Sequence, residues 1–215
     1  MKKSVIIVAG GSGKRMGADI PKQFLEIKGK PILLHTIEAF YNYSKAIKIV
    51  VVLPENQIDY WQKISSNLDT EIDYEIVAGG KERFFSVQNG LKVVSDTQLV
   101  AVHDGVRPFV SQKIIENGFK IAHEFGNAVA SIKVKDSYRI IDNQENKYID
   151  RNKLRIIQTP QIFRYDILQR AYEQKFSNLF TDDASVVEKL GHKINLFEGE
   201  EKNIKITTKE DLRLA

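Results

Sequence analysis

The sequence predicts an α/β protein with an open, mostly parallel, Rossmann-like sheet, helices on both faces and a protruding β-arm. Two observations lead to this fold class. Apolar runs alternate with stretches of helical periodicity over about the first 134 residues, and the glycine-rich or charged loops follow those runs. Alternation of this kind is typical of βαβ units. We expect a single domain over 1–215, with an arm subregion at 136–157 for dimerisation.

Five apolar runs are expected to form the buried strands, at residues 5–8, 48–53, 74–77, 99–102 and 128–134. Helices are expected between them at 55–67 and 82–94, and others begin at Pro31 and Ser111. Trp61 falls at helical spacing with Ile58 and Ile64, which favours a place in the core over a stacking platform for a base. The prediction is completed by helices and closing strands at 164–174, 181–190, 193–197 and 203–206.

Two further local features are predicted in the last third of the chain. Residues 138–141 and 148–149 flank a polar turn and predict a hairpin too polar for the main sheet. Isolated hairpins are marginally stable in water, so we expect this arm to pack against a partner subunit in a homodimer that exchanges arms. Thr181 is expected to be the N-cap of the helix over 181–190.

The chain is organised around a glycine-rich loop that follows the first strand. Its four glycines lie within eight positions and three cations accompany them: Gly10, Gly11, Gly13, Gly17, Lys14, Arg15 and Lys22. Glycines expose backbone N–H groups, and successive N–H groups in turn conformations form a concavity suited to anions. The loop therefore predicts a phosphate cradle, and the alternative is a flexible turn.

Two known phosphate-binding motifs fail on spacing. A Walker A loop requires glycine where Val8 stands and Ser or Thr where Arg15 stands. The dinucleotide fingerprint begins correctly at Gly11 and Gly13, but Met16 occupies the place of its third glycine. The loop therefore belongs to neither motif.

Composition narrows the class of protein. The chain has 215 residues and no cysteine, which excludes disulfides, thiol catalysis and thiolate metal sites. Glycines interrupt the first apolar run before it reaches signal-peptide length, and no window approaches a membrane span. The net charge of +4 is spread along the chain. We expect a cytoplasmic protein that binds anionic small molecules, without a nucleic acid or a membrane as partner.

Three unusual loops, 10–22, 79–83 and 103–107, each follow a predicted strand. Ligands of open parallel sheets bind at the carboxyl ends of strands, so these loops are expected to converge. Asp104 could hold Mg²⁺, which takes one or two carboxylates together with substrate phosphates and waters. The alternatives are pairing with Arg107 or capping of the helix near Ser111. His103 is interpreted as a packing or hydrogen-bonding residue rather than a base.

The residue types favour phosphate chemistry. No Ser-His-Asp or Cys-His arrangement indicates covalent catalysis, and no paired carboxylates indicate glycoside hydrolysis. Cations and glycine backbone are abundant instead. Phosphoryl and nucleotidyl transfer need little more, because they depend on positioning, in-line geometry and neutralisation of charge on phosphorus.

Several motifs together resemble one family. The first loop, with Pro21-Lys22-Gln23, resembles the signature of nucleotidyltransferases that activate sugar or polyol phosphates. Nearly the whole chain is similar to the polyol-phosphate cytidylyltransferase family, in its 2-C-methyl-D-erythritol 4-phosphate branch. The motifs that carry this resemblance are Gly79-Gly80-x-Glu82-Arg83-x-x-Ser86-Val87, His103-Asp104-x-x-Arg107-Pro108, Asp150-Arg151-Asn152, Gln158-Thr159-Pro160-Gln161-x-Phe163, Thr181-Asp182-Asp183-Ala184-Ser185 and Asn203-Ile204-Lys205-Ile206-Thr207.

The resemblance implies transfer of CMP from CTP to 2-C-methyl-D-erythritol 4-phosphate, with release of pyrophosphate, by in-line attack on the α-phosphorus with Mg²⁺. The product belongs to the non-mevalonate route to isoprenoids. Implied catalytic residues are Arg15 and Lys22, and the implied metal ligand is Asp104. Implied nucleotide-binding residues are Ala9, Gly10, Gly11, Gly13, Gly80, Arg83, Ser86 and Gly105. Implied substrate-binding residues are Ser137, Thr159, Thr181, Lys205 and, from the arm of the other subunit, Arg151.

Two positions depart from the family pattern. Ser137 stands where the family commonly has threonine, and it keeps the hydroxyl group. Lys81 stands where the family frequently has an acidic residue, which leaves open whether this side chain contacts the ribose or the base.

Ribitol-5-phosphate cytidylyltransferase is an alternative that shares the first loop, the Gly-Gly segment and the His-Asp motif. A non-catalytic nucleotide-binding protein is a second alternative, against which Arg15, Lys22 and Asp104 together argue.

Overall fold

The computed structural model describes residues 1–10, 20–68, 70–94, 96–143, 145–213 and 215. Its strands are β1 (Lys3–Val8), β2 (Glu26–Ile27), β3 (Lys30–Pro31), β4 (Lys48–Leu53), β5 (Glu75–Ala78), β6 (Leu99–Asp104), β7 (Asn127–Lys133), β8 (Tyr138–Asp142), β9 (Glu145–Ile149), β10 (Arg155–Arg164) and β11 (Leu196–Glu198). Its α-helices are α1 (Ile32–Tyr43), α2 (Glu55–Ser65), α3 (Arg83–Leu91), α4 (Gln112–Phe125), α5 (Tyr165–Ala171), α6 (Asp183–Lys189) and α7 (Lys209–Arg213). Short 3₁₀ helices form at Lys22–Phe24 and Arg151–Lys153.

Seven strands form one sheet in the order β11-β7-β10-β6-β1-β4-β5. Only β10 runs antiparallel to its neighbours β6 and β7, so the predicted mostly parallel sheet is confirmed. From β1 the chain builds outward through β4 and β5, then returns to place β6 on the other side of β1. Val8 pairs with Asp104 where β1 and β6 end. Open sheets bind ligands at such a switch point.

Helices cover both faces of the sheet. Alternating side chains of β1 enter opposite layers, with Val5 and Ile7 on one side and Ile6 on the other. The first layer includes side chains of α1, α2 and α4, and the second includes side chains of α3, α5 and α6. Trp61 is fully buried in the first layer, as the spacing predicts. Two packed layers hold the sheet rigidly and fix where its strands end.

The long strand β10 is the main element that the sequence analysis misses. The sequence analysis assigns no strand or helix to residues 155–163, and proline argues against a central strand because it lacks an N–H donor. Pro160 lies within β10 at the irregularity between Ile157 and Gln161, where the register with β7 shifts. Pro160 therefore lies where the regular pairing with β7 is interrupted, and β10 continues beyond it to Arg164.

Three smaller predictions are wrong. Thr181 precedes the N-cap, which is Asp182: its carboxylate accepts from the Ser185 N–H at 2.9 Å in a capping box. Residues 203–206 form no strand, although the Ile206 N–H donates to the Val106 carbonyl at 2.9 Å. The helix predicted at 164–174 ends at Ala171.

The predicted hairpin forms from β8 and β9, which pair with each other in a separate two-stranded sheet. Its apolar side chains face solvent in the single subunit, with Ile141 77% and Tyr148 70% exposed. Among the described residues, no helix has the length and apolar character needed to cross a membrane.

Candidate active site

A cavity of about 300 Å³ opens where β1 and β6 end, and we call it the first cavity. Residues from all three unusual loops line it, including Ala9, Gly10, Lys22, Gly80, Lys81, Arg83, Ser86 and Asp104. The loops therefore meet at one edge of the sheet, as the strand order requires. Arg15, Gly11 and Gly13 lie outside the described residues.

A second cavity, of about 290 Å³, adjoins the first. The two share Arg83, Asp104 and Lys205. Thr159 and Thr181 line the second cavity, so the structure brings three of the predicted substrate-binding residues together on one side of Asp104. The arrangement offers two adjacent binding sites with a common, charged boundary.

Lys22 is held beside the end of β1 by the residue that follows it. Gln23 is fully buried, and its amide donates to the Ala9 carbonyl at 2.9 Å and to Gln57 Oε1 at 2.6 Å. The short 3₁₀ helix places Lys22, itself 8% exposed, on the wall of the first cavity. The sequence analysis assigned no role to Gln23, although it lies in the Pro-Lys-Gln motif.

The Gly79-Gly80 segment packs closely against the start of α3. The Gly80 N–H donates to Ser86 Oγ at 3.1 Å, and Ser86 Oγ donates to the Glu82 carbonyl at 3.2 Å. A Cβ on Gly80 would lie 2.3 Å from Phe85 Cβ, so only glycine fits without movement of the backbone. This packing turns Gly80 and Ser86 toward the first cavity.

Asp104 lies at the boundary of both cavities among three cations. Lys205 Nζ is 3.0 Å and Arg107 Nε 3.3 Å from its Oδ2, while Arg83 Nε is 3.9 Å from its Oδ1. Burial alone would raise the pKa of this carboxyl, but Lys205, Arg83 and Arg107 hold the pKa well below its usual range. Asp104 is therefore an ionised carboxylate at neutral pH.

Asp104 supplies one carboxylate oxygen, Oδ1, that could take part in holding a Mg²⁺ ion. The described residues contain no group of three or more His, Asp or Glu that could hold a metal ion by itself. Mg²⁺ commonly takes only one or two carboxylates, and phosphates and waters supply the rest. Asp104 Oδ1 suits this role because Arg83 Nε, at 3.9 Å, is beyond hydrogen-bond distance.

His103 is buried beside Asp104 and remains neutral. Burial lowers the pKa of its imidazole to about 4. Its Nε2 lies 3.1 Å from the Arg107 carbonyl oxygen, which only accepts, so Nε2 carries the proton. Its Nδ1 has no hydrogen-bond partner among the described residues. These contacts support the interpretation of His103 as a packing and hydrogen-bonding residue.

Two predicted substrate-binding residues lie elsewhere in the subunit. Ser137 is exposed just before β8 and lines neither cavity. Arg151 lines a separate cavity with Lys133 and Glu201, and its guanidinium donates to the Lys135 carbonyl. The fold of one chain therefore does not bring Ser137 and Arg151 to the first two cavities.

Gly105 lies where β1 and β6 end and is not among the residues that line either cavity. Its N–H donates to the Val8 carbonyl at 2.9 Å, and a Cβ there would lie 2.8 Å from Ala9 Cβ. Thr159 both lines the second cavity and contacts β6, because its hydroxyl accepts a hydrogen bond from the Asp104 N–H at 3.0 Å. These contacts hold the ends of β1 and β6 to each other and to the middle of β10.

The fold and the site define a nucleotidyltransferase: glycine backbone, lysine and arginine surround one ionised carboxylate at the switch point of a parallel sheet. A family model for 2-C-methyl-D-erythritol 4-phosphate cytidylyltransferase matches residues 4–215, and the chain belongs to this family.

Relatives and solved structures agree with this assignment. The enzyme of that name from Azobacteroides pseudotrichonymphae is 50% identical over 217 residues, covering 100% of this chain and 97% of the relative. That of Bacteroides thetaiotaomicron is 44% identical over 215 residues, covering 100% and 98%. The crystal structure of 4-diphosphocytidyl-2C-methyl-D-erythritol synthase from Anaerococcus prevotii superposes with a TM-score of 0.84 at 30% identity, covering 99% of this chain and 93% of the other.

Proposed function

We propose that this chain transfers CMP from CTP to 2-C-methyl-D-erythritol 4-phosphate in the non-mevalonate route to isoprenoids. The observation that carries the proposal is the pair of adjoining cavities with Arg83, Asp104 and Lys205 between them. CTP occupies the first cavity and the polyol phosphate the second. Each brings a phosphate to the shared boundary, which is where a bond between them must form.

The transfer needs no nucleophile from the protein. A phosphate oxygen of the polyol phosphate bonds to the α-phosphorus of CTP, and the bond from that phosphorus to the α,β-bridging oxygen breaks. Pyrophosphate leaves with the electron pair. Lys22 and Arg15 stabilise negative charge at the α-phosphorus, while the backbone at Ala9, Gly10, Gly11 and Gly13 holds the triphosphate.

The remaining residues divide between the two substrates. Gly80 and Ser86 contact the base, Arg83 supports their loop, and Gly105 contacts the ribose through its backbone. Thr159, Thr181 and Lys205 bind the polyol phosphate in the second cavity. Asp104 would hold Mg²⁺, which would supply positive charge beside the phosphates.

We further propose a cytoplasmic homodimer in which Ser137 and Arg151 of each arm complete the partner's second cavity. The exposed apolar side chains of β8 and β9 support this, because an isolated hairpin is marginally stable in water. Ile141→Lys should produce monomers in sedimentation velocity. Leu179→Lys is the matched control, since Leu179 is 83% exposed outside the arm. Dimers that persist in Ile141→Lys, or monomers in both variants, would contradict the proposal.

Pyrophosphate release from CTP tests the reaction when the two polyol phosphates are supplied side by side. We expect release with 2-C-methyl-D-erythritol 4-phosphate and little with ribitol 5-phosphate. Release with ribitol 5-phosphate alone would assign the chain to the related ribitol-phosphate enzymes. Nucleotide binding without release in either assay would favour the non-catalytic alternative.

A further inference from the structure

The guanidinium of Arg83 is held from behind by a buried network. Its Nη1 and Nη2 donate to Asp183 Oδ1 and Oδ2 at 2.8 and 2.6 Å. The Tyr172 hydroxyl donates to the same Oδ1 at 2.6 Å. Asp183 is 0% and Tyr172 2% exposed. A two-pronged pair of this kind fixes the plane of a guanidinium as well as its place.

The remaining edge of this guanidinium faces the site. Arg83 lines both cavities, and its Nε lies 3.9 Å from Asp104 Oδ1. Because the guanidinium is planar, Asp183 determines where Nε points. Neither Asp183 nor Tyr172 lines either cavity, so any effect of theirs on bound substrates passes through Arg83.

The same network extends to the Gly79-Gly80 segment that precedes α3. Arg83 is the first residue of α3, and the next side chain, Phe84, stacks on Tyr172 with ring centroids 4.8 Å apart. One turn further on, Ser86 accepts from the Gly80 N–H. The network therefore ties the start of α3 and the loop before it to α5 and α6.

The protonation states suit a permanent network. Burial lowers the pKa of the Arg83 guanidinium, but the adjacent Asp183 more than offsets this and raises the pKa above its usual range. Burial and the same carboxylate raise the pKa of the Tyr172 hydroxyl well above its ordinary value, so it remains a donor near neutral pH. Both contacts to Asp183 persist over the range in which an assay would be run.

We propose that Asp183 and Tyr172 are positioning residues for the transfer reaction, because they hold Arg83 in the orientation that faces both cavities. This inference rests on the proposed function. It goes further in assigning roles to two residues that contact neither substrate. The sequence analysis gives no indication of these roles, since Asp183 belongs there only to the motif Thr181-Asp182-Asp183-Ala184-Ser185 and Tyr172 to none.

A double-mutant cycle tests the proposal. Asp183→Asn keeps the shape of the side chain but removes its charge and one acceptor, so it should lower kcat/KM by roughly 10- to 100-fold. In an Arg83→Gln background the same change should have an effect of at most about threefold, because the residue through which it acts is gone. Losses that multiply independently in the double variant would overturn the proposal.

Tyr172→Phe is a milder change than Asp183→Asn and tests the proposal even if Asp183→Asn fails to fold. Tyr172→Phe removes only the hydroxyl and should reduce kcat/KM by about fivefold. Ser131→Ala is the matched control, because Ser131 is equally buried, its Oγ donates to the Phe197 carbonyl at 3.4 Å, and it lines neither cavity. An effect of Ser131→Ala as large as that of Tyr172→Phe would contradict a specific role.

A measurement without substrates separates this inference from the proposed function. The NMR signals of the Arg83 guanidinium should show slow rotation about its Nε–Cζ bond in the wild-type protein and rapid rotation in Asp183→Asn. Slow rotation that survives in Asp183→Asn would refute the positioning role. A wild-type protein that shows this signal but lacks transferase activity would refute the proposed function instead.

Discussion

Lys205 and Asp104 form an ion pair at the boundary of the two cavities, with Nζ and Oδ2 3.0 Å apart. The Lys205 side chain is 43% exposed, whereas that of Asp104 is only 10% exposed. Arg107 fixes the carboxylate from the protein interior, with Nε 3.3 Å from the same oxygen. The Lys205 ammonium is therefore the more solvent-exposed member of the pair, and Asp104 is the more buried one.

Replacing Asp104 by Asn should lower kcat/KM by about 100-fold and raise the Mg²⁺ concentration needed for half-maximal rate. The amide has no charge with which to hold the metal, and it leaves Lys205 and Arg107 without the carboxylate that pairs with them. Steady-state rates over a Mg²⁺ titration measure both effects. An unchanged titration would contradict a metal-binding role.

Asp211→Asn is the matched control for Asp104→Asn. Burial raises the pKa of the Asp211 carboxyl, but the hydrogen bonds from Thr207 and Thr208 together outweigh burial and lower the pKa. Asp211 lines neither cavity. Its replacement should leave both rate and Mg²⁺ requirement at wild-type values, and a comparable loss would show that the Asp104 effect is not specific.

Lys22→Ala should lower kcat by about 100-fold with little change in KM for CTP, since an ammonium aimed at developing charge acts mainly in the transition state. Initial rates at varied CTP give the two constants. Lys30→Ala is the control, because Lys30 is an exposed lysine that also lies between β1 and α1, and it pairs with Glu38. A change confined to KM would show that Lys22 binds only ground-state phosphate.

Mixing Arg151→Ala with Lys22→Ala should restore about a quarter of wild-type activity if the arms are exchanged in a two-fold dimer. Half of the randomly formed dimers are mixed, and each mixed dimer has one site with both side chains intact. Activity is measured after joint refolding, and mixed dimers are verified by mass spectrometry. Mixed dimers without recovered activity would show that the two residues do not share a site.

His103 should make the protein less stable as the pH falls from 6.5 to about 4. The unfolded imidazole gains its proton near 6.5 and the buried one only near 4, so the unfolded state binds more protons between these values. The full loss is about 3 kcal/mol. In urea titrations, His103→Gln should depend less on pH across this interval, since its amide can donate to the same carbonyl without titrating. Parallel pH profiles would contradict this account.

The sequence predicts the parallel part of the fold well because β-branched runs and helical spacing are local signals. Strands β1, β4, β5, β6 and β7 and the helices between them lie close to their predicted positions. The convergence of the three loops also follows from strand order alone. The strand that the sequence does not predict is β10. Pro160 argues against a strand there, and the pairing of β10 depends on distant residues in β6 and β7.

Contacts between distant residues account for what is missing from the predicted site. The resemblance implies that Arg83 is a nucleotide-binding residue, but its partner Asp183 lies 100 positions away in the sequence. Tyr172 carries no local signal, since an aromatic residue at the end of a helix is ordinary core. Gln23 belongs to the Pro21-Lys22-Gln23 motif, but only the folded chain places its amide on the Ala9 carbonyl.

The fate of the CTP phosphates tests the central claim most directly. The protein is incubated with 2-C-methyl-D-erythritol 4-phosphate and with CTP labelled at either the α- or the γ-phosphorus. The α-label should appear in CDP-methylerythritol and the γ-label in pyrophosphate, in equal amounts. An α-label that remains in CTP, or appears in CMP without the polyol product, would contradict transfer of CMP to a polyol phosphate.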